Sequence, residues 1–546
     1  MNTKPIDARL LPCAMLAAAL LCGCGADTGD TPPAPRPNIL LIVADDLGYA
    51  DLGVFGSDIR TPNIDAIASR GIVFTQFHTA SMCAPTRAML LSGNNNHIAG
   101  MARQSATGPL QQHLPGYEAH LSERIAPISR LLRDAGYHTY SVGKWHLGRA
   151  AKHSPRAAGF TRSFHLLDGA ANHFDATGFF EGGSKYRLDG EEAGYPEGSY
   201  STEVYTDRLI EFIDADAGDG RPVFAFAAYT SPHWPLQVPD DYLERYRGRY
   251  DAGYDVLREQ NFAALQRKGI VPPESALPPR NDAIPHWAEL DPETRRLEAR
   301  EMELYAAMVE NLDHHVGRLI AHLDERGLLE DTLVLFMSDN GAAGEDFYEH
   351  GPFVDYLRAH YDNAWENLGR RGSWVSYGPA WAEAGSAPFS RYKGFAREGG
   401  IVAPLIVAGP GVPPGSGLNR SYLTVMDLAP TFLTLAGAAY PDDGSLRPML
   451  GESLVPLLAG ESEAVHGDDY VTVMYHQGHA CLRRGRWKLV TLELPFDESG
   501  FALFDLLADP GETTDLSQRE PARYAEMLEL WRVERVRLGI VLPEDL

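Results

Sequence analysis

The sequence is short of three things. Cysteine is scarce, with five residues in 546. That is too few, and too unevenly spread, for a disulfide-built scaffold, so the fold must rest on a hydrophobic core. Positive charge is scarce: 48 Lys and Arg face 74 Asp and Glu, a net charge of −26. A nucleic-acid binder needs a basic face, so no nucleic-acid partner is expected. Long apolar runs are scarce too. Leu10–Leu21 is broken by Pro12 and is too short for a comfortable bilayer span, and no later segment does better. What is present suits a folded chain: 44% apolar and 22% charged residues, with length for roughly two to four domains.

The N-terminus stands apart. Lys4 and Arg9 precede the apolar run, and Cys22-Gly23-Cys24 closes it. Residues 1–24 read as a secretory signal peptide, and residues 25–36, rich in Pro, Thr and Asp, as a flexible tether. Leu21-Cys22-Gly23-Cys24 resembles the end of a bacterial lipoprotein signal. Cys24 is the expected lipidated residue, Cys22 the alternative, and a plain cleaved signal the other reading. The expected location is the periplasm or a lipid anchor on the cell envelope, with membrane contact only through that lipid. The body then keeps Cys83 and Cys481, which invite either a disulfide or two separate buried thiols.

Apolar runs alternate with amphipathic stretches, the pattern of an α/β fold with a largely parallel sheet. Asn38–Val43 stops at Asp45-Asp46, Thr139–Val142 at Lys144-Trp145-His146, Val223–Ala228 at Ser231-Pro232-His233, and Leu333–Met337 at Asp339-Asn340. Four predicted strands each run into polar residues at the carboxyl end, the edge where such sheets bind ligands. Any one ending could be a solvated turn. Asp45, Asp46, Asp339 and Asn340 are hard oxygen donors, which suit Ca²⁺, or less well Mg²⁺, better than a soft metal. Helices are predicted over Asn63–Arg70, Arg296–Arg326 and Tyr524–Leu538. His314 and His315 are expected at a surface or interface, since nothing nearby completes a ligand spacing.

Ser81-Met82-Cys83-Ala84-Pro85-Thr86-Arg87 through Leu90-Leu91-Ser92-Gly93 is the most informative stretch. Pro85 suits the first turn of a helix, Cys83 falls just ahead of it, and Arg87 lies one turn in. The stretch resembles the signature C-x-P-x-R of the type I sulfatase family, with likeness to bacterial arylsulfatases. Ser92 departs mildly, where the family more often has Thr. Gly136–His146 is similar to the family's second signature. Asp45-Asp46, His233-Trp234, Asp339-Asn340-Gly341, Lys393 and the closing Leu503-Phe504-Asp505…Asp509-Pro510-Gly511-Glu512 follow in family order.

The resemblance implies an enzyme that hydrolyses sulfate esters, aryl sulfates foremost, to an alcohol or phenol plus sulfate. Cys83 would be oxidised to Cα-formylglycine by a separate maturation system. One hydroxyl of its hydrate would attack sulfur, and the other would later expel sulfate. Asp45, Asp46, Asp339, Asn340 and the modified Cys83 would hold Ca²⁺. Arg87 would fix the formylglycine and Lys144 would bind it or the sulfate. His146 would be the base. His233 would donate a proton to the leaving oxygen, with Lys393 assisting. Three Asp, one divalent cation, Arg87, Lys144 and Lys393 leave a net positive site, which explains how an acidic chain binds an anionic ester. His97, near the motif in sequence, is a further candidate, and Asn94–Asn96 is expected at the pocket rim.

The implied fold is an alkaline-phosphatase-like large mixed sheet flanked by helices over residues 37–440. A smaller C-terminal α+β domain, with a short antiparallel sheet and a helix, takes residues 441–546. Trp365, Trp374, Tyr377, Trp381 and Tyr392 read either as a wall for an aryl or sugar leaving group or as core. Two other functions remain open at this point. One is a phosphodiester or phosphonate monoester hydrolase of the same superfamily. The other is a lipoprotein that binds sulfated glycans without turnover.

Overall fold

A computed structural model of the chain describes residues 36–104, 111, 113–216, 218–542 and 545–546. The signal peptide, Cys22, Cys24 and all but the last residue of the tether lie outside the described residues. Arg36–Leu546 forms one compact unit.

The strands of the large sheet, in chain order, are β1 (Asn38–Ala44), β2 (Gly71–His78), β3 (His138–Lys144), β4 (Arg162–Leu166), β5 (Tyr186–Leu188), β6 (Glu191–Ala193), β7 (Val223–Ala228), β8 (Thr332–Ser338), β9 (Val402–Ala408), β10 (Gly417–Asn419) and β11 (Leu423–Thr424). They are ordered β10-β2-β9-β8-β1-β7-β3-β4-β5-β6, with β11 also on β2. β1 is paired in parallel with β7 and with β8, and β3 in parallel with β7 and β4. β9 runs antiparallel between β2 and β8. The sheet is therefore mixed, as expected. β1 and β8 are buried along almost their whole length, which is why they read as continuous apolar runs rather than alternations; β3 is just as buried although it carries His, Thr, Ser and Lys.

Helices pack in two groups. Pro62–Ser69, Ser201–Ala215 and the long Pro292–Glu325 pack together, and Cys83–Ser92, Ile128–Asp134 and Leu428–Ala436 form the other group. On the long helix His314 is exposed, but His315 is buried and hydrogen-bonded with Arg318 (Nη1 to Nδ1, 3.2 Å). Its position on the inward face of the helix, two residues beyond Asp313, overrides the surface expectation.

The second sheet is antiparallel: β12 (Val471–His476), β13 (His479–Arg484), β14 (Trp487–Thr491) and β15 (Phe501–Asp505). Its two faces have different neighbours. Val473, Tyr475, Leu482, Leu489 and Leu503 form a core with Met527, Trp531 and Leu538 of the closing helix Pro521–Leu538. Met474, Cys481, Val490, Ala502 and Phe504 join the core of the large sheet instead. The period-two alternation of a strand makes this sheet a bridge between helix and body. Cys481 and Cys83 are both buried free thiols, so the disulfide is not formed.

The helix Pro62–Ser69 has no side-chain cap of its own. Asp313 of the long helix supplies one, accepting from Asn63 N (3.0 Å), Ile64 N (2.8 Å) and Asn63 Nδ2 (2.7 Å). Asp313→Ala strands these donors and is expected to cost about 2 kcal/mol in a denaturant titration, with turnover at ambient temperature unchanged.

Candidate active site

Strand register brings the polar endings together. Ala44 of β1 pairs with Ser338 of β8, so Asp45 and Asp339 leave the sheet side by side. Ala228 of β7 pairs with Val43 and with Gly143, so the segment reaching His233 and the end of β3 at Lys144 open onto the same edge. Asp46 and His146 adopt left-handed backbone (φ 67° and 56°), a conformation that costs energy in a non-glycine residue and concentrates at functional positions. Gly169 leaves room for the His146 ring, since a Cβ there would lie 2.7 Å from its Cε1.

Cys83 is the first residue of the helix Cys83–Ser92 rather than the residue ahead of it. Its Sγ lies 3.6 Å from His146 Nδ1. Arg87, one turn in, donates through Nε (2.9 Å) and Nη2 (2.7 Å) to Asp339 Oδ2 and through Nη1 to Lys144 O (2.8 Å). Lys144 Nζ donates to both oxygens of Asp45 (2.9 and 2.7 Å). Lys393 Nζ donates to Asp46 Oδ2 (2.8 Å) and lies 3.4 Å from His233 Nε2 and 3.6 Å from Glu345 Oε1. His233 Nδ1 donates to Trp234 O (2.7 Å), which leaves Nε2 as the lone-pair nitrogen of the neutral ring.

Apart from the half-buried His146 and Glu345, these residues are almost wholly out of water, Lys144 and Asp339 at 0% exposure. Burial pushes the Asp45 carboxyl up to about 8, with Lys144 pulling it back and Asp339 adding to the rise. Burial likewise raises Asp46, opposed by Lys393. It raises the Cys83 thiol. It holds His146 and His233 well below the usual imidazole range, helped by Lys144 together with Arg87 for His146 and Lys393 for His233. For Asp45 and Asp46 the cost of burial outweighs the pull of their lysines, and the imidazoles stay neutral.

That imbalance fits a divalent cation. Ligand atoms of Asp45, Cys83 and Asp339 lie within 4.8 Å of one another, as do those of Asp45, Asp46 and His233. Asn340 donates its Nδ2 to Asp46 Oδ1 (2.7 Å), while its Oδ1 is buried without a hydrogen-bond partner. Carboxylate and amide oxygens with one amide oxygen unspent are a hard-cation donor set.

All ten residues expected at the site thus meet there. Others do not. His97 is buried against Tyr117 and Tyr475, with neither ring nitrogen hydrogen-bonded. Asn94–Asn96 is buried rather than on a rim, and Asn95 Nδ2 ties the loop to Val473 O of β12 (2.8 Å). Tyr377 and Trp381 are core, and Trp365 lies beneath Arg296, its ring 3.7 Å from the guanidinium carbon. Trp374 is fully buried behind the aromatic edge beside His233, against Trp234 (5.8 Å between ring centres) and Phe179 (6.2 Å), and the rest of that edge is built from other residues. Trp234 meets Phe347 (5.1 Å between ring centres) and Phe179 (5.8 Å), and Phe353 closes on both phenylalanines (5.4 and 4.7 Å). Phe179, Phe347 and Phe353 are half-buried. Their signal was aromatic residues set among glycines, in Gly178–Gly183 and Gly344–Gly351, with no core periodicity.

Comparison with known proteins agrees with this geometry. The family model described as Sulfatase matches residues 37–438, and that described as N-sulphoglucosamine sulphohydrolase, C-terminal, matches residues 391–533. An arylsulfatase of Klebsiella aerogenes is 37% identical over 77% of this chain and 91% of its own. An uncharacterised sulfatase of Schizosaccharomyces pombe is 37% identical over 93% of this chain and 95% of its own. The solved structure of Ps i-CgsB in complex with k-i-k-neocarrahexaose has a TM-score of 0.66 at 25% identity, over 93% of this chain and 94% of that one. With the mixed sheet, the second small sheet and the charged edge already in place, these matches make the chain a member of the sulfatase family, which uses a metal and a formylglycine, and a hydrolase of sulfate esters.

Proposed function

We propose that the protein hydrolyses aryl sulfates, with Cys83 matured to formylglycine and Ca²⁺ held by Asp45, Asp46, Asp339 and Asn340. The observation that carries this reading is the buried cluster of those donors with Lys144, His146, His233 and Lys393 around the Cys83 side chain. When bound, the cation polarises the ester and the formylglycine hydrate supplies the nucleophile.

The chain's own groups do the rest. Arg87 neutralises Asp339 and, through Lys144 O, fixes the end of β3 against the helix. Lys144 and Lys393 supply positive charge for an anionic ester in a site shielded from water, where such charge acts strongly. His146, kept neutral by burial and nearby cations, is the base beside residue 83. Lys393 is the proton source for the leaving oxygen. His233, its proton tied to Trp234 O, presents a lone pair toward Lys393 Nζ and orients it. This ordering reverses the roles expected from sequence for that pair. The half-buried rings of Phe179, Phe347 and Phe353 next to Trp234 favour a flat apolar leaving group.

Export rests on Lys4, Arg9 and the Leu10–Leu21 run, and lipidation on Cys24. Among the described residues no helix is long and apolar enough to cross a membrane. The partners in this reading are a sulfate ester and a formylglycine maturation system.

Four outcomes are expected. In protein from its own host, the tryptic peptide Gly71–Arg87 shows by mass the loss of the thiol sulfur and the gain of a carbonyl oxygen. Aryl sulfate is turned over in preference to an aryl phosphodiester or phosphonate monoester, and Cys83→Ala abolishes turnover. Preference for the phosphorus esters, or binding of sulfated glycans with no turnover, overturns the reading. Chelation removes activity and Ca²⁺ restores it better than Mg²⁺, while Asn340→Ala weakens Ca²⁺ binding at least about tenfold by calorimetry. Phe347→Ala raises KM for an aryl sulfate about tenfold and leaves that for a small alkyl sulfate little changed.

A further inference from the structure

One group of three buried charges, outside the reacting cluster, ties the small sheet to the active-site loops. Lys488 of β14 donates Nζ to Glu398 Oε1 (2.6 Å) and pairs with Glu512 Oε1 (2.8 Å). Glu512 Oε2 accepts from Glu398 N (2.8 Å), and His78 Nε2 meets Glu398 Oε2 (2.9 Å). All three charged residues are at most 2% exposed, and Glu512 is held in left-handed backbone (φ 54°). Buried ion groups and strained residues are poor sources of net stability, so this arrangement calls for another reason.

The reason lies in what Glu398 begins. The turn of helix Glu398–Ile401 packs its backbone against two loops of the active site. Gly341 N, next to Asn340, donates to Gly400 O (3.2 Å), and a Cβ on Gly341 would lie 2.1 Å from Gly399 O. A Cβ on Gly400 would lie 2.2 Å from Phe395 O and 2.6 Å from Tyr392 O, so the Lys393 loop has no slack either. Lys393 N in turn donates to Ala342 O (3.0 Å), and Gly394 N to Ser81 O (2.8 Å), two residues before Cys83. The backbones of Asn340, Lys393 and the Cys83 segment are laced to one turn of helix. The anchor of that turn is Lys488 and Glu512, 90 and 114 positions further along the chain.

We propose that Lys488 and Glu512 of the C-terminal region are positioning residues for sulfate ester hydrolysis. They act through Glu398 to set where Lys393 and Asn340 stand. The proposal rests on the site as read above. Displacements well under the width of an atom matter at a reacting centre, where a misplacement of about 1 Å can cost about 100-fold in rate.

The test compares Lys488→Met and Glu512→Gln with Leu482→Ala. Leu482 is buried in the other core of the small sheet, against the closing helix, and is the control for destabilisation alone. The expected result has two parts. Folded Lys488→Met and Glu512→Gln enzymes lose about 10- to 100-fold in kcat/KM for an aryl sulfate. Their amide hydrogens exchange faster in the peptides spanning 340–344 and 389–401. Leu482→Ala lowers the melting temperature yet keeps the kcat/KM and the exchange rates of those peptides. Should Lys488→Met not fold, Glu512→Gln, equal in shape, carries the comparison. Wild-type kcat/KM in the two variants, unchanged exchange in the two loops, or an equal loss in the control would each overturn the proposal. Absence of aryl sulfate turnover in the wild-type protein would count against the function instead, and loop exchange alone would then decide this inference.

Discussion

Like charges gathered where water cannot reach them are the constraint on which the rest of this structure depends. Asp45, Asp46 and Asp339 stand at the ends of adjacent strands, each at most 1% exposed. Their repulsion and lost hydration must be met by fixed positive groups. Arg87, Lys144 and Lys393 meet it, and each is delivered by a different piece of chain: a helix, a strand end and a loop. Placing β1 between β7 and β8 makes the meeting inevitable, because parallel neighbours in register end at the same level. The order of strands is thus an electrostatic arrangement as much as a packing one.

Much of this was legible in the sequence, for a physical reason. A strand buried on both faces favours apolar residues along its length, as Asn38–Ala44 and Thr332–Ser338 show, so the residue at which each turns polar marks the sheet's edge. Cys83, Pro85 and Arg87 are local to one helix turn, and local spacing survives folding. Pairings across long stretches of chain were not legible. Nothing near Lys488 announces Glu398, and nothing near His233 says that Phe347, 114 positions on, will pack against the neighbouring Trp234. The tryptophans misled because size and composition do not distinguish a wall from a core. Trp374 and Trp381 are fully buried, while the smaller Phe179 and Phe347 of the glycine-rich loops are only half-buried. The exchange of roles proposed for His233 and Lys393 turns on one hydrogen bond to a backbone carbonyl, which no motif encodes.

The small sheet shows how one element can serve two cores. Alternate residues of β13 face opposite ways: Leu482 toward the closing helix, Cys481 toward the large sheet. Lys488 on β14 lies on the same side as Val490 and carries a charge where its neighbours carry methyl groups. The family's closing motif, which includes Glu512, ends on that lysine. Residues far from the reacting edge can therefore be fixed in kind by the need to hold a loop still.

The burial of Cys83 has a consequence in time. The thiol is 3% exposed, at the head of a helix whose every residue is buried. Behind it Arg87 is clamped to Asp339, and Ser81 beside it is bound by the Lys393 loop. If Cys83 is matured as proposed, the modifying enzyme has to reach a thiol that the folded protein buries. The window for that modification closes when the helix docks. A molecule that folds first is sealed with its thiol intact, and its history during synthesis, rather than its final conformation, decides whether it ever works.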